Sequence, residues 1–362
     1  MPLTILSVAW PFAPVGPDAV GGAEQILTAL DDAIVRHGHQ SLVVACAGSE
    51  VAGTFFPVHV PEDQLDHADR PARAGLYQGA IDAALASASV DLIHMHGLDF
   101  HEYRLSESIP VLVTLHLPPS WYPAHIWGNR SPNVQLQCVS HSQRDACPPG
   151  AGGLPVIKNG VDLPALGDLH AEPLPLDLPS EFAVALGRIC PEKNLHAALE
   201  AATLARIPVL IGGKVFPWQA HEDYFRDRIL PLLTEGHQFL GPLAPALRHQ
   251  LLRLAKCLLL PTLAPETSSL VAMEALAAGT PVVAWPSGAI PEIIEDGVTG
   301  FLVDSVEAMA KAIRSVDSLD RSFCRAAAER RFSRDRMIRD YFRLYERCIE
   351  DASAATQMSR HA

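Results

Sequence analysis

The sequence predicts an α/β protein made of two doubly wound domains, each a mostly parallel sheet covered by helices. Short apolar runs alternate with helix-compatible segments, and a proline-rich stretch separates two such series. A chain of 362 residues also suffices for about two domains of roughly 150 residues each. The hydrophobic share of 48% and charged share of 19% are typical of a soluble globular protein and exclude general disorder.

The first half alternates between strands and helices. It opens with an apolar run, Leu3 to Ala9, and further strands are predicted at Ser41 to Ala45, Asp91 to Met95, Val111 to Leu115 and Val134 to Val139. The first helix is predicted to bury one face, formed by Ile26, Leu27, Leu30, Ile34 and Val35. Another helix is predicted over Ala72 to Ala88. Such alternation is typical of a parallel sheet.

The second half repeats this pattern after a connector at Leu163 to Ser180, which is rich in proline. Its strands are predicted at Phe182 to Leu186, Pro208 to Ile211, Gln238 to Leu240, Cys257 to Leu260, Pro281 to Trp285 and Gly300 to Val303. Helices are then predicted through Val306 to Val316, Arg321 to Arg331 and Arg334 to Ile349. A polar tail that frays is predicted from Asp351.

Charge and cysteine usage exclude several classes of protein. Lys and Arg total 28 against 41 Asp and Glu, and the net charge of −13 disfavours nucleic acid as a partner. The seven cysteines are an odd number without a C-x-x-C pair, which favours reduced structural thiols. Prolines interrupt the apolar N-terminus, and no apolar stretch reaches about 18 residues, so neither a signal peptide nor a transmembrane segment is predicted. We therefore expect a cytoplasmic protein.

The stretch Pro261 to Trp285 reads as strand, loop, helix and strand, with a helix from about Ser268 to Ala278. Glu266 and Glu274 are eight residues apart, so Glu266 is expected in the loop before the helix. With Thr267 or Ser268 as N-cap, the free amides of Ser268, Ser269 and Leu270 would form an anion site suited to phosphate. Glu274 could then meet a ribose and Glu266 sugar hydroxyls. The spacing alone equally fits an amphipathic helix with surface carboxylates.

Two glycine-containing loops follow predicted strands. Gly187 allows close approach of a ligand to the backbone, and Arg188 and Lys193 could face a diphosphate. Gly21 and Gly22, followed by Ala23 and Glu24, open the first helix and could expose its amides. Solvated cations and a plain tight turn are the respective alternatives. Neither the dinucleotide fingerprint nor the P-loop is present.

Histidines lie at the ends of two strands. His94 and His96 flank Met95 at the end of one, and His116 ends another, where it could contact a substrate hydroxyl. No matching carboxylate cluster accompanies them, so we expect hydrogen-bonded histidines and no metal site. No two aspartates lie two positions apart, so the D-x-D pattern that holds a divalent cation on a nucleotide diphosphate is absent.

Five motifs together resemble the family-four retaining glycosyltransferases of the GT-B fold (glycosyl transferases group 1), over nearly the whole chain. They are Gly21-Gly22-Ala23-Glu24, Thr114-Leu115-His116, Asn159-Gly160-Val161-Asp162, Gly187-Arg188 with Lys193, and Glu266 with Glu274 followed by Ala275 to Val283. The resemblance implies two Rossmann-like domains facing a central cleft. Where the family often has Gly-Phe-Gly after the first glutamate, this chain has Thr267-Ser268-Ser269.

The resemblance also implies roles for these residues. Arg188 and Lys193 would bind the donor diphosphate, Glu274 the ribose and Glu266 the hydroxyls of the transferred sugar. His116 would contact the sugar near the reacting carbon, and Gly22 the phosphates. His96, Glu24 and Asn159 are further acceptor-side or cleft residues, with Asn159 near the inter-domain hinge.

The predicted function is transfer of a hexose from a nucleotide-diphosphate sugar, UDP-linked first and GDP-mannose second, to a hydroxyl of a small molecule or glycan. Retention of configuration is implied, with no metal and no cofactor. A GT-B epimerase or phosphorylase and a non-catalytic nucleotide-sugar-binding protein are the alternatives. The predicted domains are an acceptor-side domain over 1–165, a donor-binding domain over 166–333, a helix over 334–350 that returns to the first domain and a flexible tail over 351–362.

Overall fold

The computed structural model describes residues 2–11, 13–60, 70–128, 130–151, 153–163, 178–234 and 236–361. These form two units: an N-terminal unit of Met1–Asn159 with Asp335–Ala362, and a C-terminal unit of Gly160–Arg334. The greater part of the proline-rich connector, residues 164–177, lies outside the described residues.

The N-terminal unit is built on a parallel sheet that has six strands among its described residues, in the order β3-β2-β1-β4-β5-β6. The strands are Thr4–Val8 (β1), Gln40–Cys46 (β2), Thr54–Val58 (β3), Leu92–Met95 (β4), Val111–Leu115 (β5) and Val134–Cys138 (β6). The helices that accompany them are Gly22–Arg36 (α1), Arg70–Ser87 (α2) and His141–Asp145 (α3). The central strands β4 and β5 are buried along their whole length, which explains their continuous apolar sequence.

Strand β3 was not predicted from the sequence, and one residue of α1 was predicted on the wrong face of the helix. Strand β3 contains Pro57, which cannot donate a ladder hydrogen bond, and the strand accordingly lies at an edge of the sheet. Val35 was expected on the buried face of α1 but is 39% exposed. It follows the buried Ile34 by one residue, a rotation of about 100° that carries its side chain off the apolar face.

The C-terminal unit repeats the architecture, and its described residues form a second six-stranded parallel sheet in the order β12-β11-β10-β7-β8-β9. Its strands are Ala183–Leu186 (β7), Val209–Gly212 (β8), Gln238–Gly241 (β9), Leu258–Leu260 (β10), Val282–Ala284 (β11) and Gly300–Leu302 (β12). Its helices are Leu195–Ala205 (α4), Gln219–Tyr224 (α5), Pro245–Leu254 (α6), Leu270–Ala277 (α7), Ile290–Ile293 (α8), Val306–Ser315 (α9) and Arg321–Arg331 (α10). The predicted fold class of two α/β halves is confirmed.

The last helix, Arg334–His361 (α11), is longer than predicted. The sequence analysis ended it at Ile349 and predicted a flexible tail from residue 351, but the helix continues through that segment to His361. Four of residues 351–362 are Ala, the best helix former, and the segment lacks Gly and Pro, so nothing in it stops a helix. Among the described helices, none has the length and apolar character needed to cross a membrane.

The chain enters and leaves the C-terminal unit side by side. The amide of Val161 donates to the carbonyl of Phe332 at 2.8 Å, and the amide of Arg334 donates to the carbonyl of Val161 at 2.9 Å. A side chain at Gly160 would lie only 2.6 Å from the carbonyl oxygen of Ser333. Glycine at position 160 therefore permits this close pairing.

Candidate functional site

In the C-terminal unit, the loop after β7 carries the two predicted diphosphate ligands. Gly187 opens this loop with φ +152°, a value that favours glycine. A side chain at Gly213 would overlap the Gly187 carbonyl, so a second glycine lets the two backbones pack closely. Arg188 is exposed, whereas the side chain of Lys193, in the 3-10 turn Pro191–Lys193, is only 20% exposed.

Lys193 forms an ion pair with Glu266, which lies in the loop between β10 and α7. The Glu266 side chain is 11% exposed. Strands β7 and β10 are neighbours in the sheet, so their carboxyl ends bring together residues that are 73 positions apart in the sequence. This is the edge of an open α/β sheet at which ligands bind.

The backbone around Glu266 is held by the loop after β11. The amide of Ala289 donates to the Glu266 carbonyl at 2.7 Å, and the hydroxyl of Ser287 donates to the Ala264 carbonyl at 2.7 Å. Gly288 has φ +57°, and a side chain there would overlap the Glu266 backbone. These three supporting residues were not predicted from the sequence, because a Ser-Gly pair after a strand indicates a turn and nothing more specific.

Helix α7 begins later than predicted. Ser269, not Thr267 or Ser268, is its N-cap residue, and the helix starts at Leu270. The Glu266 carbonyl accepts from Ala289, which lies outside the helix, and Ser269 has an extended backbone, so the helix does not begin before Leu270. The amides of the first helical turn, from Leu270 onward, are those without an acceptor inside the helix. The Ser269 side chain makes no capping hydrogen bond, and the buried hydroxyl of Ser268 has no partner among the described residues.

Glu274 lies on α7 and pairs with Arg248 of α6 at 2.9 Å. Their side chains are 17% and 25% exposed, respectively. Burial raises the pKa of Glu274, and the Arg248 guanidinium opposes that rise without cancelling it. The sequence analysis missed Arg248, which is 26 residues away and belongs to no motif.

In the N-terminal unit, Glu24 folds back over the start of α1. Gly21 is the N-cap residue, and a side chain at that position would collide with the Glu24 carboxylate. Glu24 is buried and sits in the first turn after Gly22, where a carboxylate is favoured by the helix dipole. Gly21 therefore accommodates a carboxylate of the protein itself at this helix terminus.

His96 and His116 meet at the ends of β4 and β5, with His96 Nδ1 and His116 Nε2 3.0 Å apart. Burial lowers the pKa of His116 to about 3 and that of His96 well below its usual 6.5, so both rings are neutral near pH 7. His94 is fully buried and hydrogen-bonded to Thr114 and Tyr345, each at 2.8 Å. It is a core histidine, as expected from the absence of a carboxylate cluster.

Asn159 lies at the last position of the first segment of the N-terminal unit. It is buried, and its carbonyl accepts a hydrogen bond from Arg336 of α11 at 2.8 Å. Arg336 also donates to the Lys158 carbonyl at 2.6 Å. The start of α11 and the end of the first segment are therefore joined by one guanidinium.

Among the described residues, one group of three carries the atoms that bind metal ions: Cys190, Glu192 and His221. One ligand atom from each lies within 4.8 Å of the others. Burial raises the pKa of Cys190 and lowers that of His221, so both groups are neutral. The sequence analysis predicted no metal site, because a C-x-E pair followed 29 residues later by a histidine, as the numbering shows, matches no common ligand spacing.

Comparison with known proteins identifies a matching family and curated relatives. Residues 168–331 match the family described as glycosyl transferases group 1. The D-inositol 3-phosphate glycosyltransferase of Mycolicibacterium gilvum is 35% identical over 190 residues, which are 49% of this chain and 42% of that protein. The phosphatidyl-myo-inositol mannosyltransferase of Mycolicibacterium smegmatis is 32% identical over 219 residues, 56% of this chain and 54% of that protein. The chain thus spans about half the length of these curated relatives.

Among solved structures, Anabaena HepE in complex with UDP and glucose has a TM-score of 0.72 at 20% identity, covering 95% of this chain and 99% of that chain. This likeness supports the fold and no more. Together with the two parallel sheets and the matched segment, it confirms the resemblance that the sequence motifs indicated. The chain has the GT-B fold, and its residues 168–331 match the glycosyl transferases group 1 family.

Proposed function

We propose that this protein transfers a hexose from a nucleotide-diphosphate sugar to a hydroxyl of an acceptor, with retention of configuration. The family match and the glycosyltransferase names of its relatives support the reaction class. The observation that carries the proposal is the meeting of Lys193 and Glu266 beside the N-terminus of α7. A cation, a carboxylate and unpaired helix amides at one sheet edge suit a ligand with both phosphate and hydroxyl groups.

In this proposal the C-terminal unit holds the donor. Arg188, Lys193 and the amides at the start of α7 bind the diphosphate and stabilise the negative charge that develops on it as the glycosidic bond breaks. A phosphate oxygen of the donor would displace the Glu266 carboxylate from Lys193. That carboxylate is then available to accept hydrogen bonds from the sugar hydroxyls, while Glu274 accepts them from the ribose.

Each unit has its own part in the proposed reaction. In the N-terminal unit, His116 contacts the transferred sugar near its reacting carbon and Gly22 contacts the phosphates. A neutral His116 can either donate or accept a hydrogen bond, depending on its tautomer. The Glu266 carboxylate contributes hydrogen bonds rather than a covalent bond, and a donor phosphate oxygen assists deprotonation of the acceptor.

The donor is proposed to bind without a metal on its diphosphate, because the chain lacks a D-x-D pattern and supplies Arg188 and Lys193 instead. A UDP-sugar is the first choice and GDP-mannose the second. The HepE structure contains UDP and glucose, and the relative from M. smegmatis is named as a mannosyltransferase. A small molecule or glycan is the proposed acceptor. All seven cysteines are free thiols, which supports action in the reducing cytoplasm.

The test is a thermal-shift titration of the whole chain, in chelator, against nucleoside diphosphates and their sugar conjugates. A donor at 100 times its Kd stabilises the folded state by about 2.7 kcal/mol, which corresponds to a shift of roughly 5 to 10 °C for a unit of this size. Arg188→Ala should abolish the shift. Arg330→Ala removes the same charge from an exposed position of the same unit and should preserve it.

Product analysis completes the test. The donor that shifts the protein should be turned over with an acceptor, and nuclear magnetic resonance should show the anomeric configuration of the donor preserved in the product. A shift that requires a divalent cation would contradict metal-free binding of the diphosphate. Binding without turnover by any acceptor would indicate a nucleotide-sugar-binding protein, and conversion of the donor alone would indicate an epimerase.

A further inference from the structure

Cys190, Glu192 and His221 form a cluster of metal-binding side chains on the C-terminal unit. Cys190 precedes the 3-10 turn Pro191–Lys193 that contains Glu192, and His221 lies on α5. Cys190 and His221 are 1% and 7% exposed, whereas Glu192 reaches the surface. The cluster thus combines two buried ligands with one that is accessible to an arriving ion.

Backbone hydrogen bonds hold the first two ligands in place. The Cys190 carbonyl accepts from the amide of Lys193 at 3.1 Å, and the Glu192 carbonyl accepts from the amide of Leu263 at 2.9 Å. The turn that carries the thiol and the carboxylate is therefore fixed to the strand-end loop after β10. Side chains on so constrained a backbone can bind an ion with little loss of conformational freedom.

Aromatic neighbours orient the third ligand. The His221 ring contacts Trp218 edge to face, with ring centroids 4.8 Å apart, and lies 6.2 Å from the centroid of Phe216. The amide of His221 donates to the Trp218 carbonyl at 2.8 Å. The imidazole is therefore confined by packing as well as by the backbone.

Hydrogen bonding alone explains only part of this cluster. The Cys190 thiol and the Glu192 carboxylate lie close together and interact with each other, which accounts for two of the three groups. His221 Nδ1, however, is buried and has no hydrogen-bond partner among the described residues. A buried polar atom without a partner typically costs about 1 to 3 kcal/mol, so its retention beside a thiol and a carboxylate calls for another explanation.

We propose that Cys190, Glu192 and His221 bind a thiophilic divalent cation such as Zn²⁺. A thiolate, an imidazole and a carboxylate are the ligands that zinc accepts, and three protein ligands leave a fourth tetrahedral position for water. Metal binding would release the thiol proton to solvent, and the resulting thiolate and carboxylate would together balance the charge of the cation. The ligand atoms need to approach one another by about 1.5 Å at most, given Zn bond lengths of about 2.0 to 2.3 Å in a tetrahedral site.

Nearby charge decides which ions suit the site. The positive charge of Arg188 acts on Cys190, Glu192 and His221, so it opposes any cation bound there. Affinity must therefore come from the bonds to sulfur and nitrogen, which favour zinc and cobalt over magnesium and calcium. This cation is separate from the donor diphosphate and does not depend on the proposed transfer reaction.

The experiment is a titration of the metal-free whole chain with Co²⁺, without any nucleotide. We expect one equivalent to produce a thiolate-to-cobalt charge-transfer band and the visible bands of tetrahedral cobalt, all removed by Zn²⁺. Cys190→Ser should lose the charge-transfer band, and His221→Gln should weaken binding by roughly tenfold or more. Cys147→Ser and His196→Gln, which alter a cysteine and a histidine outside the cluster, should leave the spectra unchanged.

A measurement on the unaltered chain guards against variants that do not fold. Zn²⁺ should slow alkylation of Cys190, measured by mass spectrometry of its peptide, and should leave alkylation of Cys147 unchanged. Equal rates for Cys190 with and without Zn²⁺ would overturn the proposal. So would a charge-transfer band that persists in a folded Cys190→Ser variant.

Discussion

At the scale of single residues, the Lys193–Glu266 pair combines a structural role with the proposed binding role. Both side chains are largely shielded from water, at 20% and 11% exposure. Removing one partner from such a pair leaves the other charge poorly solvated, whereas removing both charges avoids that penalty. Each residue therefore compensates the charge of the other between the loops after β7 and β10.

We expect Lys193→Met to lower the free energy of unfolding by about 1 to 3 kcal/mol, less than for a fully buried pair because some water reaches both groups. Adding Glu266→Gln should recover much of that loss, because no unpaired charge remains. Urea unfolding of the two single variants and the double variant measures the coupling. If the losses of the two single variants add up to the loss of the double variant, the interaction between Lys193 and Glu266 does not contribute to stability.

Sequence reasoning could identify these residues but not their partners. The motifs singled out Lys193, Glu266 and Glu274, since each stands next to a strand or helix end. That Lys193 meets Glu266 and that Arg248 meets Glu274 depends on the order of strands and helices in three dimensions. No local pattern carries such information, so the ion pairs could not be predicted.

At the scale of elements, α11 is tied to the N-terminal sheet through a buried hydrogen-bond network. Thr114 donates to Gln137 Oε1 at 2.8 Å, so its oxygen accepts from His94 Nε2, also at 2.8 Å. That sets His94 Nδ1 as the acceptor for the Tyr345 hydroxyl. Tyr341, one turn earlier on α11, donates to Gln137 Oε1 at 3.1 Å.

Tyr345→Phe should cost about 1 to 2 kcal/mol of stability, because it leaves the buried His94 Nδ1 without a donor. Tyr341→Phe is the matched control and should cost less, since Gln137 Oε1 still accepts from Thr114. Thermal and urea unfolding of both variants provide the comparison. A larger loss for Tyr341→Phe would contradict the assigned directions of these hydrogen bonds.

Elements were predicted well where local signals are strong. Periodic apolar runs located α1 and the buried strands, whereas β3 escaped notice because Pro57 is untypical of a strand. The start of α7 depends on the loop around Gly288, and no sequence pattern near Ser268 reveals that constraint. The predicted end of α11 was wrong because the polar sequence after Ile349 was interpreted as a frayed tail. The residues there are compatible with a helix.

At the scale of the whole molecule, burial of neutral histidines links stability to pH. Burial lowers the pKa of His94, His96 and His116 in the N-terminal unit and of His249 in the C-terminal unit. Below about pH 6.5 these histidines bind protons in the unfolded chain but stay neutral in the folded chain. Their contribution to stability is therefore complete above that pH and declines as the pH falls.

We expect the free energy of unfolding to fall from pH 7.5 to 5.5, with each such histidine contributing up to about 1.4 kcal/mol per pH unit. Burial raises the pKa of Asp99 to about 6. Its contribution to the free energy of unfolding therefore increases, rather than decreases, as the pH falls. Comparison of His96→Gln with the unaltered chain separates the two effects, because only the histidine contribution changes. His96→Gln should flatten the pH dependence of the free energy of unfolding.

The two-unit architecture was accessible from sequence because it rests on repetition. Two series of apolar strands and helices predict two sheets, whichever residues fill the loops. The residues that open and close the C-terminal unit were harder to locate, because hydrogen bonds between Val161 and the segment Phe332 to Arg334 mark that boundary rather than a change in composition.

The pairing of Val161 with Phe332 and Arg334 gives the C-terminal unit the form of an insertion. Its two ends are neighbours, and within the N-terminal unit Arg336 likewise links the start of α11 to Lys158 and Asn159. Domains with adjacent ends are those that tolerate transplantation and circular permutation. A unit whose ends lie side by side can be exchanged between host chains by recombination at two points, leaving the N-terminal sheet and α11 uninterrupted.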